Sequence, residues 1–516
     1  MKRSFLFLAA GLILCYVLCI FRWGYMTGGG DLSEIMPYAL WLRDHALFPK
    51  DYFIQNMSAM QPNERFPFAQ LLALFPELWI EPAMLVMHFL CSVFLFAAVV
   101  TLASRVIQSY WLQLSVIPVM WVLALPFGAG SNDLWGNYLS PEMLACTAGL
   151  WAFVLALRKQ WVGVAALCGL ATILHPIVGL QIFILLWGTG FWLMITKDGD
   201  APTWKQSTLS AIFFLASGGV YFFMLMKAYG YGSGLTGDPK TFYAIYHEFR
   251  APHHYLSSGQ RWQDWAVTGF FSFIALLVSK RRQPFIWHFT VFSIVIIGIF
   301  SVWVELLRDP SFASMQWLKA TIWLKLVGSI GLMALLEMWF PVFKKNVFNY
   351  IWISGAGLLA ASAFVIYIFF RNAIPWNVPY HFGNQRVTDP EIEICARIKR
   401  LTPNDALIME PILHNNSMYY SERSSFVDYK CQVRRIDLIG EWARRMKIAY
   451  GLDYQSNIKG YAVFAPADSF YVSMDEDYLR SLKEKEGVTH ILTYERHHLN
   501  FPLLASNKLF RFYEIE

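Results

Sequence analysis

Eleven apolar runs dominate this chain, near residues 5–22, 83–104, 110–126, 142–157, 161–174, 176–196, 207–228, 265–279, 285–304, 318–339 and 347–370. A helix needs about 20 mostly apolar residues to cross a hydrocarbon core, so the pattern predicts a polytopic α-helical membrane protein with about eleven spans. The charge confirms the division of the chain. Residues 1–370 hold 23 Lys and Arg with 17 Asp and Glu, and residues 371–516 hold 19 of each. The second part is as rich in charge as a soluble domain, so the chain divides into a transmembrane domain over 1–370 and a C-terminal α/β domain over 371–516. A single soluble enzyme, a coiled coil and a disordered chain are all excluded.

Two details shape the span assignment. Lys2 and Arg3 precede an apolar stretch that continues through Phe21 without an Ala-x-Ala-like site, so the first run reads as an anchor rather than a cleaved signal. The run from Trp161 to Thr196 is too long for one span and breaks at His175-Pro176, because proline disfavours helical geometry in the residue before it. Orientation follows from basic residues in short loops. With the N-terminus cytoplasmic, Lys2, Arg3, Arg105, Arg158, Lys159, Lys197, Lys205, Lys280, Arg281, Arg282, Lys344 and Lys345 fall inside. The long loops 23–82, 127–141, 229–264 and 305–317, and the C-terminal domain, then lie outside. The net charge of +6 reports this orientation and carries no implication of nucleic-acid binding.

The outer loops carry the chemistry. In Gly28-Gly29-Gly30-Asp31-Leu32-Ser33-Glu34, glycines release the chain from the first span and deliver two carboxylates to one helical face at the membrane surface. Beside lipid tails a carboxylate gains basicity, which suits a general base. Asp31 as a helix cap is an alternative compatible with that role. The remainder of loop 23–82 reads as interfacial helices, with Glu64-Arg65 a solvated pair between them. Asp133 stands in the second outer loop and could bind sugar hydroxyls or join Asp31 in holding a divalent cation, Mg or Mn. Ser140-Pro141-Glu142 reads as a cap, first turn and first-turn acid. His175, at membrane depth, is a functional candidate, and Arg250 with the nearby His253 and His254, and Arg261 shortly after, suits a phosphate. An interfacial loop with aromatic anchors is the competing account of that cluster.

Beyond Pro375, strands are expected near 406–410, 425–429, 488–493 and 509–513, and helices near 390–401, 435–449 and 475–486, giving a small mixed sheet that caps the membrane part. Asp428-Tyr429-Lys430 and Tyr419 to Arg423 read as ordinary loop chemistry. Cys395 and Cys431 could pair. The sequence contains neither a P-loop nor a Rossmann fingerprint, so ATP-driven transport by this chain is disfavoured.

The layout resembles the GT-C superfamily of membrane glycosyltransferases: an in-to-out first span, an acid (Asp31, with Glu34) in a long first outer loop, a second-loop acid (Asp133), the break at His175-Pro176 and an exported α/β domain. The likeness extends to bacterial membrane proteins with Arg-x-Pro-His-His and Thr-Pro-x-Asp-Ala motifs, similar to Arg250-Ala251-Pro252-His253-His254 and Thr402-Pro403-Asn404-Asp405-Ala406. The resemblance implies inverting transfer of a sugar from a polyprenyl-phosphate carrier to a glycan, lipid or protein at the outer face of a bacterial plasma membrane. Asp31 would be the base, Glu34 would orient it, and Asp133, His175, Arg250, His253, His254 and Arg261 would bind substrate. A flippase for lipid-linked saccharides is the rival, and would require charged groups at mid-membrane, where Lys325 stands out. A non-catalytic envelope assembly protein, with the carboxylates only capping helices, is a third reading.

Overall fold

Each of the first ten apolar runs is helical over its described residues in the computed structural model, which describes residues 2–27, 30–123, 128–199, 201–230, 237–340, 389–414 and 416–516. By length and apolarity, Glu77–Ala103, Pro176–Ile195, Trp204–Ala228, Pro284–Leu307 and Pro310–Trp339 are able to cross a membrane, and Leu8–Ile20, Pro141–Leu157 and Trp161–Leu174 are shorter apolar helices. The chain is an integral membrane protein. The eleventh run, 347–370, lies outside the described residues.

Burial separates the helices by role. Thr321–Trp339 is enclosed, with Trp323, Leu326, Ile330 and Ala334 buried, whereas Trp204–Ala228 and Pro284–Leu307 turn Phe213, Phe223, Ile299 and Val302 outward. Lipid takes the place of a protein partner for those faces, since lipid tails solvate apolar side chains as well as a core does. Gly328 permits the close crossing of Thr321–Trp339 with Trp262–Arg282, because a Cβ there would lie 2.3 Å from the Phe271 carbonyl oxygen.

One end of the bundle is fastened by Glu337, fully buried, which accepts from the backbone N–H groups of Gln108 (2.8 Å) and Ser109 (2.6 Å) and from Arg282 Nη1 (3.1 Å). Glu337→Ala should destabilise the protein by about 3–5 kcal/mol, the usual consequence of removing one partner from a buried ion pair. Thermal unfolding in detergent would show this as a large fall in midpoint, and Glu337→Gln, which retains an acceptor oxygen, as a smaller one.

The segment between the first two apolar runs forms three short helices, Leu32–Arg43, Tyr52–Ala59 and Phe66–Ala73. The C-terminal domain seats directly on them. Its five strands are β1 (Leu407–Met409), β2 (Ser424–Ser425), β3 (His490–Tyr494), β4 (Leu503–Ser506) and β5 (Phe510–Glu514), in the order β2-β1-β3-β5-β4. The β1 pairings are parallel and the β5 pairings antiparallel, so the sheet is mixed as expected. Ile394, Ile398, Ile408, Leu492 and Phe512 form a core under Asp389–Leu401. Strand β2 is shorter than the sequence suggests because the chain leaves the sheet after Ser425 to run toward the membrane part.

Asp51 joins the two parts. One of its oxygens caps Tyr52–Ala59 at Ile54 N (2.8 Å), and the other accepts from Ser425 N in β2 (3.0 Å). Burial pushes this carboxyl up to about 6. Cys395 and Cys431 are both free and do not pair, and they sit in separate apolar clusters.

Candidate active site

Gly30 has a left-handed φ of +58°, and a Cβ there would lie 2.6 Å from the Tyr138 hydroxyl, so only glycine brings the chain so close to the loop that holds Tyr138. Asp31 follows in helical geometry (φ −72°, ψ −13°) and makes no side-chain cap. The capping account is therefore corrected: its Oδ2 instead accepts from Arg65 Nη1 (3.0 Å). Glu34, one helical turn on, accepts from Arg65 Nε (2.8 Å), with Nη2 at 2.7 Å. Arg65 is thus not part of a solvated pair with Glu64. It is buried, and the whole side chain is spent bridging the two acids.

The acids differ in consequence. Burial would raise Asp31, but Arg65, Lys430, Arg434 and Lys319 outweigh it and hold this carboxyl well below the ordinary range. Burial raises Glu34 in spite of Arg65 and Arg434. The expected gain in basicity therefore falls on the enclosed acid, and the third-exposed Asp31 stays ionised.

Asp31 and Glu34 open into a partly solvent-open cleft of about 1210 Å³. His175, Arg250 and His254 line the same cleft, so five residues singled out in sequence converge. His175 ends Trp161–Leu174 and caps Pro176–Ile195, its Nδ1 accepting from Val178 N (3.4 Å). That leaves Nε2 as the protonated, donating nitrogen. His254 has the opposite tautomer: its Nδ1 lies 2.9 Å from the Gly130 carbonyl, to which it donates, leaving Nε2 an acceptor. Burial, with His253 and Lys319 nearby, holds His254 well below the usual histidine range. His254 is thus suited to a sugar hydroxyl rather than to a phosphate. Arg250 lies 4.0 Å above the Tyr429 ring and donates Nε–H to the Tyr429 carbonyl (2.9 Å).

Asp133, His253 and Arg261 do not line the cleft. Asp133 is drawn to Lys325 (3.1 Å), which gives the lysine that stood out in the sequence its partner. Arg261 closes on Asp264 at the start of Trp262–Arg282 (2.9 Å) and is mostly exposed. The ring of His253 lies between those of His254 (4.2 Å) and Tyr461, on which it stacks at 4.5 Å.

Several residues that line the cleft had no sequence signal. Lys319 lies 3.6 Å from Glu142, which caps nothing itself: Ser140 caps Pro141–Leu157, and Glu142 also accepts from Asn132 (2.5 Å). Lys430 and Arg434 come from the C-terminal domain, in the stretch after β2 that read as an ordinary loop. Asp428 shapes that stretch by accepting from Lys430 N (2.5 Å) and Cys431 N (3.2 Å). Arg434 then reaches Glu64 (3.3 Å) and Glu34 (3.9 Å). The lining also includes the apolar Ile177, Phe222, Leu225 and Met226, the last three on the helix Trp204–Ala228.

No family model matches the sequence, and no curated protein matches it. Among solved structures, the apo oligosaccharyltransferase of Archaeoglobus fulgidus aligns with a TM-score of 0.54 over 94% of this chain and 69% of that chain, at 12% identity. The same enzyme tethered to an acceptor peptide containing the NVT sequon aligns with a TM-score of 0.48 over 95% and 69%, at 13% identity. The apo alignment shows that this chain shares the fold of that enzyme. The bacterial family suggested there is matched by none of these comparisons.

Proposed function

We propose that this chain is a membrane glycosyltransferase that takes a sugar from a polyprenyl-phosphate carrier and places it, with inversion, on a glycan, lipid or protein acceptor at the outer face of a bacterial plasma membrane. The observation that carries the reading is one cleft in which an ionised carboxylate, a group of cations and the apolar flank of a membrane-spanning helix meet. An isoprenoid chain fits against Phe222, Leu225 and Met226, and the phosphate against Arg250, Lys319, Lys430 and Arg434. The shared fold with an oligosaccharyltransferase accords with this class of reaction.

In the reaction, Asp31 takes the proton of the acceptor hydroxyl as its oxygen bonds to the anomeric carbon. The bond from that carbon to the phosphate oxygen breaks on the opposite face, and its electron pair leaves with the polyprenyl phosphate. The cations stabilise the developing charge, and His175 Nε2–H adds a neutral donor.

The test is release of prenyl phosphate from a short-chain prenyl-phosphate sugar by the purified protein. Arg250→Gln should lower the rate roughly thirtyfold, about the 2 kcal/mol of one charge-assisted hydrogen bond. Failure of every polyprenyl-phosphate sugar to react, with soluble nucleotide sugars reacting instead, would overturn the donor assignment.

A further inference from the structure

We infer that Arg65 takes the place of a divalent cation at this site: its guanidinium bridges Asp31 and Glu34, fixes the orientation of the Asp31 carboxylate toward the acceptor, and makes the transfer independent of metal. The inference rests on the glycosyl-transfer reading for its catalytic part and on geometry for the rest.

A cation bridging two acids needs their oxygens at about 2.0–2.6 Å. Here Glu34 Oε2 and Asp31 Oδ2 already receive Arg65 Nε at 2.8 Å and Nη1 at 3.0 Å. A metal ion among those oxygens would face a permanent positive charge on the next shell of atoms. Arg65 is moreover built into this position. Its backbone N–H donates to Asn63 Oδ1 (3.0 Å), as does that of Phe66 (2.9 Å). The Asn63 amide in turn donates to the Met57 carbonyl (2.9 Å) and the Tyr38 hydroxyl (3.1 Å). With Asn63 and Arg65 both buried, the guanidinium is held by a folded turn, not by a chance swing of a surface side chain.

The acids that might complete a metal site are engaged elsewhere. Asp133 pairs with Lys325, and Glu142 with Lys319 and Asn132. Among the described residues no three His, Cys, Asp or Glu side chains gather as a metal site would require. The donor set present therefore does not fit the Mg or Mn expected from sequence. An arginine does part of the same work: its planar fork fixes one carboxylate oxygen and leaves the other open. It differs in one respect, since it offers no vacant coordination position to the acceptor. Arg65 is on this account a positioning residue, and Asp31 alone takes the proton.

The decisive measurement is Mn2+ titration of the purified full-length protein, followed by electron paramagnetic resonance. The wild type should hold no Mn2+ at Asp31, and its transfer rate should be unchanged by EDTA. Arg65→Ala, which uncovers two adjacent carboxylates, should acquire a Mn2+ site that the further change Asp31→Asn removes. Arg65→Gln should move the acid limb of the rate profile to higher pH than in the wild type, because the first of the cations that offset the burial of Asp31 is lost while Lys430, Arg434 and Lys319 remain. Stoichiometric Mn2+ on the wild type that is lost in Asp31→Asn, or transfer abolished by EDTA and restored by Mg2+ or Mn2+, would overturn the inference. So would a folded Arg65→Ala protein that binds no Mn2+. Should Arg65→Ala fail to fold, the wild-type titration still decides. Should no donor react, the transfer reading fails while the Mn2+ result stands on its own.

Discussion

Asp31→Asn should lower glycosyl transfer by about a thousandfold, within the range that general-base catalysis supplies, while leaving the protein folded. The substitution conserves shape and still offers Arg65 an acceptor oxygen, but a carboxamide takes no proton from the acceptor hydroxyl. Stability should change little because Asp31 is one-third exposed and Glu34 continues to neutralise Arg65. The assay is prenyl-phosphate release by the purified variant, with a melting curve alongside. Wild-type turnover by a stably folded Asp31→Asn protein would remove Asp31 as base. Glu34→Gln gives the contrast: Glu34 is buried behind Arg65, so its loss should disturb folding and orientation together.

The second large effect concerns the C-terminal domain. Changing Lys430 and Arg434 together to alanine should reduce transfer on the order of a hundredfold, chiefly as weaker binding of the lipid-phosphate donor, since each charged contact is worth about 1.5–3 kcal/mol. Both side chains line the cleft, and Arg434 also holds Glu64 and Glu34. A domain serving only as a lid would tolerate the double change. Retained KM for the donor would therefore assign the domain to support and leave phosphate binding to Arg250 and Lys319.

Much of the membrane part was legible because apolar length is a strong signal: hydrocarbon demands it whatever the neighbours are. Asp31, Glu34, His175, Arg250 and His254 were legible for the converse reason, being polar groups in places where polarity is costly. Arg65 and Arg434 were not, because a basic residue beside Glu64 or within a charged loop looks the same whether it is solvated or buried. Only the turn at Asn63 and the run out of β2 decide which. Asp133 and Arg261 misled in the opposite sense, since Lys325 and Asp264 neutralise them locally. Strand β4 escaped notice because it is a short edge strand with Leu503 exposed.

Arg65 lies 34 residues from Asp31 and 31 from Glu34, whereas the contact of Cys431 with the Ser33 carbonyl joins residues 398 apart. These separations translate into an order of events during synthesis. The acid pair meets its guanidinium almost as soon as the first outer segment emerges, so two bare carboxylates never wait at the edge of the bilayer. The cations from the far domain arrive only after nearly the whole bundle has been threaded. A half-made chain thus holds one guanidinium between its two carboxylates, yet lacks two of the cations that line the finished cleft. The cleft is complete only when the protein is finished.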